Sequence, residues 1–163
     1  MNDTVDDTVL TLALGPNGTR ALTTRAVERG AVLLVLEGSR VSEPERHSLQ
    51  IGEALHLVSP DAPWRYLDHA CEPNAWIELD VAADVAQVRL RALVPLEAGV
   101  AVTFNYLTTE WELATPFPCG CGAASCAGWI RGARHLDAAR LAALGPTLAP
   151  HVRARLRAEG RLG

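Results

Sequence analysis

The chain has 163 residues, 48% of them hydrophobic and 21% charged, a composition that fits one folded domain and excludes a disordered or disulfide-stapled miniature protein. All 15 basic residues are arginine against 19 acids; residues 1–130 hold 8 arginines and 17 acids, a net of −9, and residues 131–163 hold 7 and 2, a net of +5. The acidic start has no signal-peptide pattern and no apolar run reaches bilayer length, so a cytoplasmic protein with no membrane partner is expected.

Thr8 to Leu14 reads as a first strand, closed by the turn residues Gly15-Pro16-Asn17-Gly18 and followed by a short strand from Arg20 to Thr24. Ala31 to Leu36 is a continuous apolar run between Gly30 and Gly38, the pattern of a buried strand. Glu43 to Gln50 suggests a turn or two of helix opened by Ser42 and Pro44, and Ala54 to Val58 a further strand. Ala75–Leu79 and Val85–Leu93 alternate polar and apolar residues, with 80–84 as their hairpin connection, and Val100 to Phe104 is the last strand. The period then changes. Leu141, Leu144, Leu148, Val152 and Leu156 mark one helical face broken by Gly145-Pro146, which predicts helices at about Asp137–Leu144 and from Pro146 or Thr147 to Glu159. The whole pattern is mainly β with minor α.

The four cysteines fall in two places: Cys71, within Asp68-His69-Ala70-Cys71-Glu72-Pro73-Asn74, and a C-x-C-x4-C cluster at Cys119, Cys121 and Cys126. Four thiolates suit a closed, structural zinc site that would staple the C-terminal part of the chain onto the Cys71 loop. Alternatives for the same residues are an iron–sulfur cluster, for which this spacing is uncommon, or four buried thiols. His69 taken alone reads as a buried, hydrogen-bonded histidine, and Tyr106 as core. The only two tyrosines, Tyr66 and Tyr106, nevertheless both flank these segments.

Those segments carry a resemblance. Arg65 to Asn74 resembles the R-F-x-N-H-S-C-x-P-N segment of SET-domain methyltransferases, and Ala98 to Tyr106 their G-E-E-L-T-F-D-Y segment. Phe117 to Ile130 resembles the post-SET zinc segment, and Asn17 to Arg25 stands where that family has G-x-G-L-F-A-T-R. The pieces occur in the family's order over about residues 8–135. The resemblance implies small curved β-sheets around a knot-like crossing, divided as a SET domain at 8–107, a post-SET zinc segment at 112–135 and a C-terminal helical extension at 136–163. It implies S-adenosylmethionine as cofactor, contacted by Gly18, Thr19, Arg20, Arg65, Tyr66, Asp68 and His69, with Trp129 as a cover. It assigns catalysis to Tyr106 and a structural Zn2+ to Cys71, Cys119, Cys121 and Cys126.

The chemistry suits these residues. In-line methyl transfer to an amine depends mostly on alignment of donor and acceptor, and an apolar channel lowers the amine's pKa toward its reactive neutral form. Carbonyl oxygens can hold a polarised methyl by weak C–H···O contacts. Departures from the family pattern are Arg20 for its second glycine, Asp68 for asparagine, Ala70 for serine and Asn105 for aspartate, and the segment between residues 40 and 64 is short. The expected activity is methyl transfer to an amine, most simply a protein lysine side chain. Two alternatives are a small-molecule amine as acceptor and a catalytically silent SET fold used for binding. An acidic body would steer a basic substrate, or simply keep the chain soluble. A basic tail without interleaved aromatics gives no reason to expect nucleic acid. The assembly expected is a monomer, or a homodimer through the C-terminal helix. Absence of lysine with abundant alanine matches the coding bias of a GC-rich bacterial genome.

Overall fold

The computed structural model describes residues 9–81 and 87–163. Thr8, most of the expected 80–84 connection and the start of the strand expected at Val85 lie outside the described residues. Among the described residues the chain forms twelve short strands: β1 (Leu10–Gly15), β2 (Gly18–Thr23), β3 (Val32–Val35), β4 (Ser39–Val41), β5 (Leu49–Gly52), β6 (Leu55–Val58), β7 (Asp68–His69), β8 (Ala75–Asp80), β9 (Gln87–Ala92), β10 (Thr103–Phe104), β11 (Phe117–Pro118) and β12 (Trp129–Ile130). Two helices close it, α1 (Ala138–Leu144) and α2 (Pro150–Ala158).

The strands make five small sheets. β1 and β2 form the first hairpin, with Gly15 opposite Gly18 and the latter at φ +110°, a conformation that glycine alone adopts without strain. The buried apolar run β3 flanks β9 in the order β3-β9-β8. In β8, Ala75, Ile77 and Leu79 turn into the core, whereas Glu78 faces Arg89 and Arg91 across the pair, the latter at 2.7 Å. That alternation is the period-two signal of the sequence in three dimensions.

The helix expected at Glu43–Gln50 does not form. Ser48 Oγ accepts from the Glu45 N–H at 2.8 Å and donates to the Glu45 carbonyl at 2.9 Å, closing a tight turn. Leu49, Gln50 and Ile51 are buried in succession, which a strand paired into the sheet β4-β6-β5 allows and a half-exposed helix does not. Ser42 and Pro44 are therefore turn residues rather than a cap. The strand expected over Val100–Phe104 is divided between two partners. Val100 and Val102 bond β2 at Thr23 and Ala21, both at 2.9 Å, and the chain then enters β10, which pairs in parallel with β7.

At the C-terminal end Asp137 caps α1, accepting from the Arg140 N–H at 2.8 Å, so the helix starts one residue after the position expected. The second helix begins later than expected. Gly145–Thr147 winds as a 3-10 turn, Leu148 and Ala149 are extended, and Pro150 opens α2 with its preset φ. Leu141, Leu148, Val152 and Leu156 are all buried in the same core as Leu33, Ile77, Leu90 and Ile130. The helical stripe packs within the chain, with Val152 and Leu156 at 0% exposure. No helix among the described residues is long and apolar enough to cross a membrane.

Candidate active site

The parallel pairing of β7 with β10 sets Asp68 beside Thr103 and His69 beside Phe104. Asn74 fastens the two segments, donating to the Ala101 carbonyl and accepting from the Thr103 N–H, both at 2.8 Å. Ala70 N–H donates to the Phe104 carbonyl at 3.2 Å. Beside this junction opens a cavity of about 560 Å³, within the size range of small-molecule sites. Among the residues singled out from sequence, Arg20, Arg65, Asp68, His69, Tyr106, Cys119 and Cys121 line it. Gly18, Thr19, Tyr66 and Trp129 do not, and Trp129 is 52% exposed.

Tyr106 opens a 3-10 turn capped by Asn105, whose side chain accepts from the Leu107 N–H. Its hydroxyl donates to the Leu67 carbonyl at 2.5 Å. Burial, and then the charges of Asp68 and Glu110, push its pKa up, so the phenol stays protonated with its hydrogen committed to Leu67. What remains available is oxygen lone-pair density, suited to accept from an N–H or a polarised methyl and unsuited to a general base. His69 is fixed on both sides: its Nδ1 accepts from the Tyr106 N–H at 3.1 Å, so the proton resides on Nε2, which faces Cys71 Sγ at 3.3 Å. Burial lowers its pKa to about 4 and keeps the ring neutral. His69, Phe104 and Phe117 pack around the Tyr106 ring with centroids 4.8 to 6.0 Å away.

Two of the departures from the family pattern are partners. Arg20 Nε lies 2.7 Å from Asp68 Oδ2, with side chains 41% and 45% exposed at the cavity. A glycine replaced by a cation and an asparagine replaced by an anion leave the local charge balanced. Among the described residues this contact uses only Nε, leaving the outer guanidinium nitrogens toward the cavity that Arg20 lines.

The four cysteine Sγ atoms all lie within 4.8 Å of one another, and Cys71 and Cys119 are 3.9 Å apart. A tetrahedral zinc with Zn–S near 2.3 Å needs sulfur separations of about 3.8 Å, so the donor set fits that ion. Backbone N–H groups of Ala127 and Gly128 point at Cys71 and Cys126 sulfurs, both at 3.4 Å, as orienting bonds to thiolates do. Ser125 bonds Glu72 at 2.8 Å and Arg140 of α1 bonds the Cys126 carbonyl at 3.0 Å, pinning the C-terminal end of the cysteine loop.

Sequence reasoning passed over Glu110, a buried carboxylate lining the cavity, and Gln50, which anchors it. The Gln50 N–H donates to Glu110 Oε1 and the Trp111 N–H to Gln50 Oε1, each at 2.8 Å. The strand in which Gln50 sits was read as helix, so no pattern brought the two together.

No protein-family model matches the chain. Methyltransferase flvH of Aspergillus flavus is 36% identical over 88 residues, 54% of this chain and 46% of that protein. A histone-lysine N-methyltransferase, H3 lysine-36 specific, of Aspergillus fumigatus is 30% identical over 92 residues, 56% of this chain and 9% of that one. The chain therefore spans less than half the length of these curated relatives. Among solved structures, KRYPTONITE in complex with mCHG DNA and SAH superposes with a TM-score of 0.61 at 17% identity, over 74% of this chain and 28% of that chain. A candidate histone methyltransferase of Plasmodium falciparum gives 0.52 at 13% identity, over 62% of this chain and 95% of that chain. The fold is the SET-domain fold, with a four-cysteine cluster of post-SET type appended to it. Over about half its length the chain is thus similar in sequence to methyltransferases, histone-lysine methyltransferases among them, and its fold is that of the SET domain.

Proposed function

We propose that this chain is an S-adenosylmethionine-dependent N-methyltransferase whose acceptor is an amine, most simply a protein lysine side chain. The observation that carries the reading is the convergence of Tyr106, His69 and Asp68 on one cavity through the parallel pairing of β7 and β10. When bound, S-adenosylmethionine would supply a sulfonium methyl group for in-line transfer to the acceptor nitrogen. Arg20, Arg65, Asp68 and His69, which line the cavity, would hold the cofactor, and Gly18, Thr19, Tyr66 and Trp129 are the further contacts that the family resemblance implies. Tyr106 aligns the acceptor nitrogen with its hydroxyl oxygen, and the aromatic rings around it keep water from the reacting atoms. Cys71, Cys119, Cys121 and Cys126 hold a structural zinc. The same reading divides the chain into a SET portion at 8–107, a zinc segment at 112–135 and a helical extension at 136–163.

Calorimetric titration of the zinc-loaded protein with S-adenosylmethionine and its demethylated product tests this. One site of micromolar affinity is expected. Tyr106→Phe should keep that affinity and lose roughly tenfold or more of turnover on any acceptor found. No binding at millimolar cofactor would end the reading.

A small-molecule amine is the second reading. Of the chain between β4 and Trp64, only the turn at Glu45–Ser48 and Leu49 of β5 line the cavity, a small platform for a peptide. Parallel assays on lysine peptides and on free diamines separate the two acceptors.

A further inference from the structure

Glu110 is 7% exposed and follows Tyr106 by one turn, its N–H donating to the Tyr106 carbonyl at 2.9 Å. Both residues line the cavity. Its Oε1 accepts from two neutral donors, the Gln50 N–H at 2.8 Å and the Thr109 hydroxyl at 3.2 Å. Arg20, Arg46 and Arg65 line the same cavity, but none forms an ion pair with it, and no cation among the described residues does. Joining β5 to the segment after Tyr106 requires only an acceptor oxygen, and a glutamine would provide one. Among the described residues the negative charge has no partner, and burying a charge without one is costly. Burial pushes the carboxyl up to about 7, where it exchanges a proton readily at neutral pH.

We propose that Glu110 receives the substrate's ammonium group in the cavity and takes its proton, making the site selective for cationic amines. The inference rests on the methyltransferase reading and adds the group that deprotonates the acceptor. The substrate enters as R–NH3+ against the carboxylate. One N–H proton moves to the Glu110 oxygen, leaving R–NH2 with a free lone pair beside the Tyr106 hydroxyl and a neutral carboxylic acid. After methylation restores the positive charge on nitrogen, the proton on Glu110 is lost to solvent as the product leaves. The Tyr106 phenol, committed to Leu67, has no part in this proton movement.

The experiment titrates n-butylamine, with 1-butanol as its neutral counterpart, into zinc-loaded protein saturated with S-adenosylhomocysteine. Wild type should bind the amine saturably and not the alcohol. Glu110→Gln keeps the acceptor oxygen for Gln50 and Thr109; it should hold S-adenosylhomocysteine within about twofold and lose amine affinity about tenfold or more. Glu110→Asp, which keeps the charge, should fall between the two and separates charge from fold. Equal amine affinity in wild type and Glu110→Gln, or equal uptake of butanol, overturns the inference while cofactor binding stands. Failure of wild type to bind S-adenosylhomocysteine overturns the methyltransferase reading, and the inference with it.

Discussion

Glu110 also leaves a mark on stability. Its carboxyl is raised from the ordinary value near 4.5 to about 7 by burial, so the folded state holds the proton more tightly than the unfolded chain. Its contribution is therefore fully present below pH 4.5 and is lost as pH rises through about 7, amounting to about 3 kcal/mol at most. The buried His56 and the half-buried His151 act in the opposite sense, since loss of solvent lowers their pKa values and protonation at low pH opposes folding. Comparing wild type with Glu110→Gln cancels those histidines. The melting temperature of the variant minus that of wild type should climb between pH 5 and pH 8; a flat difference would show that the carboxylate carries no buried charge. At this scale the sequence was legible where residues are recognised by spacing, as with the cysteines, His69 and Tyr106. Arg20 and Asp68 read singly as two departures, because nothing local reveals that residues 48 positions apart neutralise each other. Glu110 was invisible for the same reason: its donor Gln50 lies 60 positions upstream.

Elements fared according to how much of their pattern is local. The first hairpin, the alternating pair β8–β9 and the helix α1 were readable from turn residues and period. The segment at 43–50 was misread because Ser42 and Pro44 serve a turn as well as a helix, and the burial of Leu49 to Ile51 is decided by β6. The strand at 100–104 was legible as extended chain but not as a strand with two different partners. One element is fixed by contact rather than by pattern. Gly132 sits at φ +135°, and a Cβ there would meet the Trp111 carbonyl oxygen at 2.3 Å and Glu112 Cα at 2.7 Å. This close approach lets Leu113, Ala133 and Arg134 bond across the two strands of chain at 2.8 to 3.2 Å. Gly132→Ala should cost about 3 kcal/mol, because neither backbone can retreat without breaking those bonds. Urea denaturation checks it, and a loss below about 0.5 kcal/mol would mean that the segment is pliable.

Across the whole molecule the cysteine cluster and the cavity are one mechanical unit. Cys71 Sγ faces His69 Nε2, His69 Nδ1 holds the Tyr106 N–H, and Cys119 and Cys121 line the cavity. Burial pushes the Cys71 thiol up to about 12, while backbone N–H groups of Ala123 and Cys71 draw Cys121 down to about 6. Four such sulfurs cannot all ionise at this distance without a cation to share. Chelation should therefore loosen residues 115–135 first in hydrogen exchange, and weaken S-adenosylhomocysteine binding before the core melts. A chelator that extracts no zinc and leaves the melting curve unchanged would rule the metal site out.

The parallel pairing of β7 with β10 has a consequence for biosynthesis. Parallel neighbours cannot be joined by a tight turn, so Asp68 and His69 leave the ribosome without a partner and wait until Thr103 and Phe104 are made. Closing that long loop costs entropy before any contact rewards it, and the thiols after it add a second wait, until Cys126 has emerged. A nascent chain can thus collapse its early hairpins and still present no cofactor site. The core itself closes later still, once Ile130, Leu141, Val152 and Leu156 have joined it.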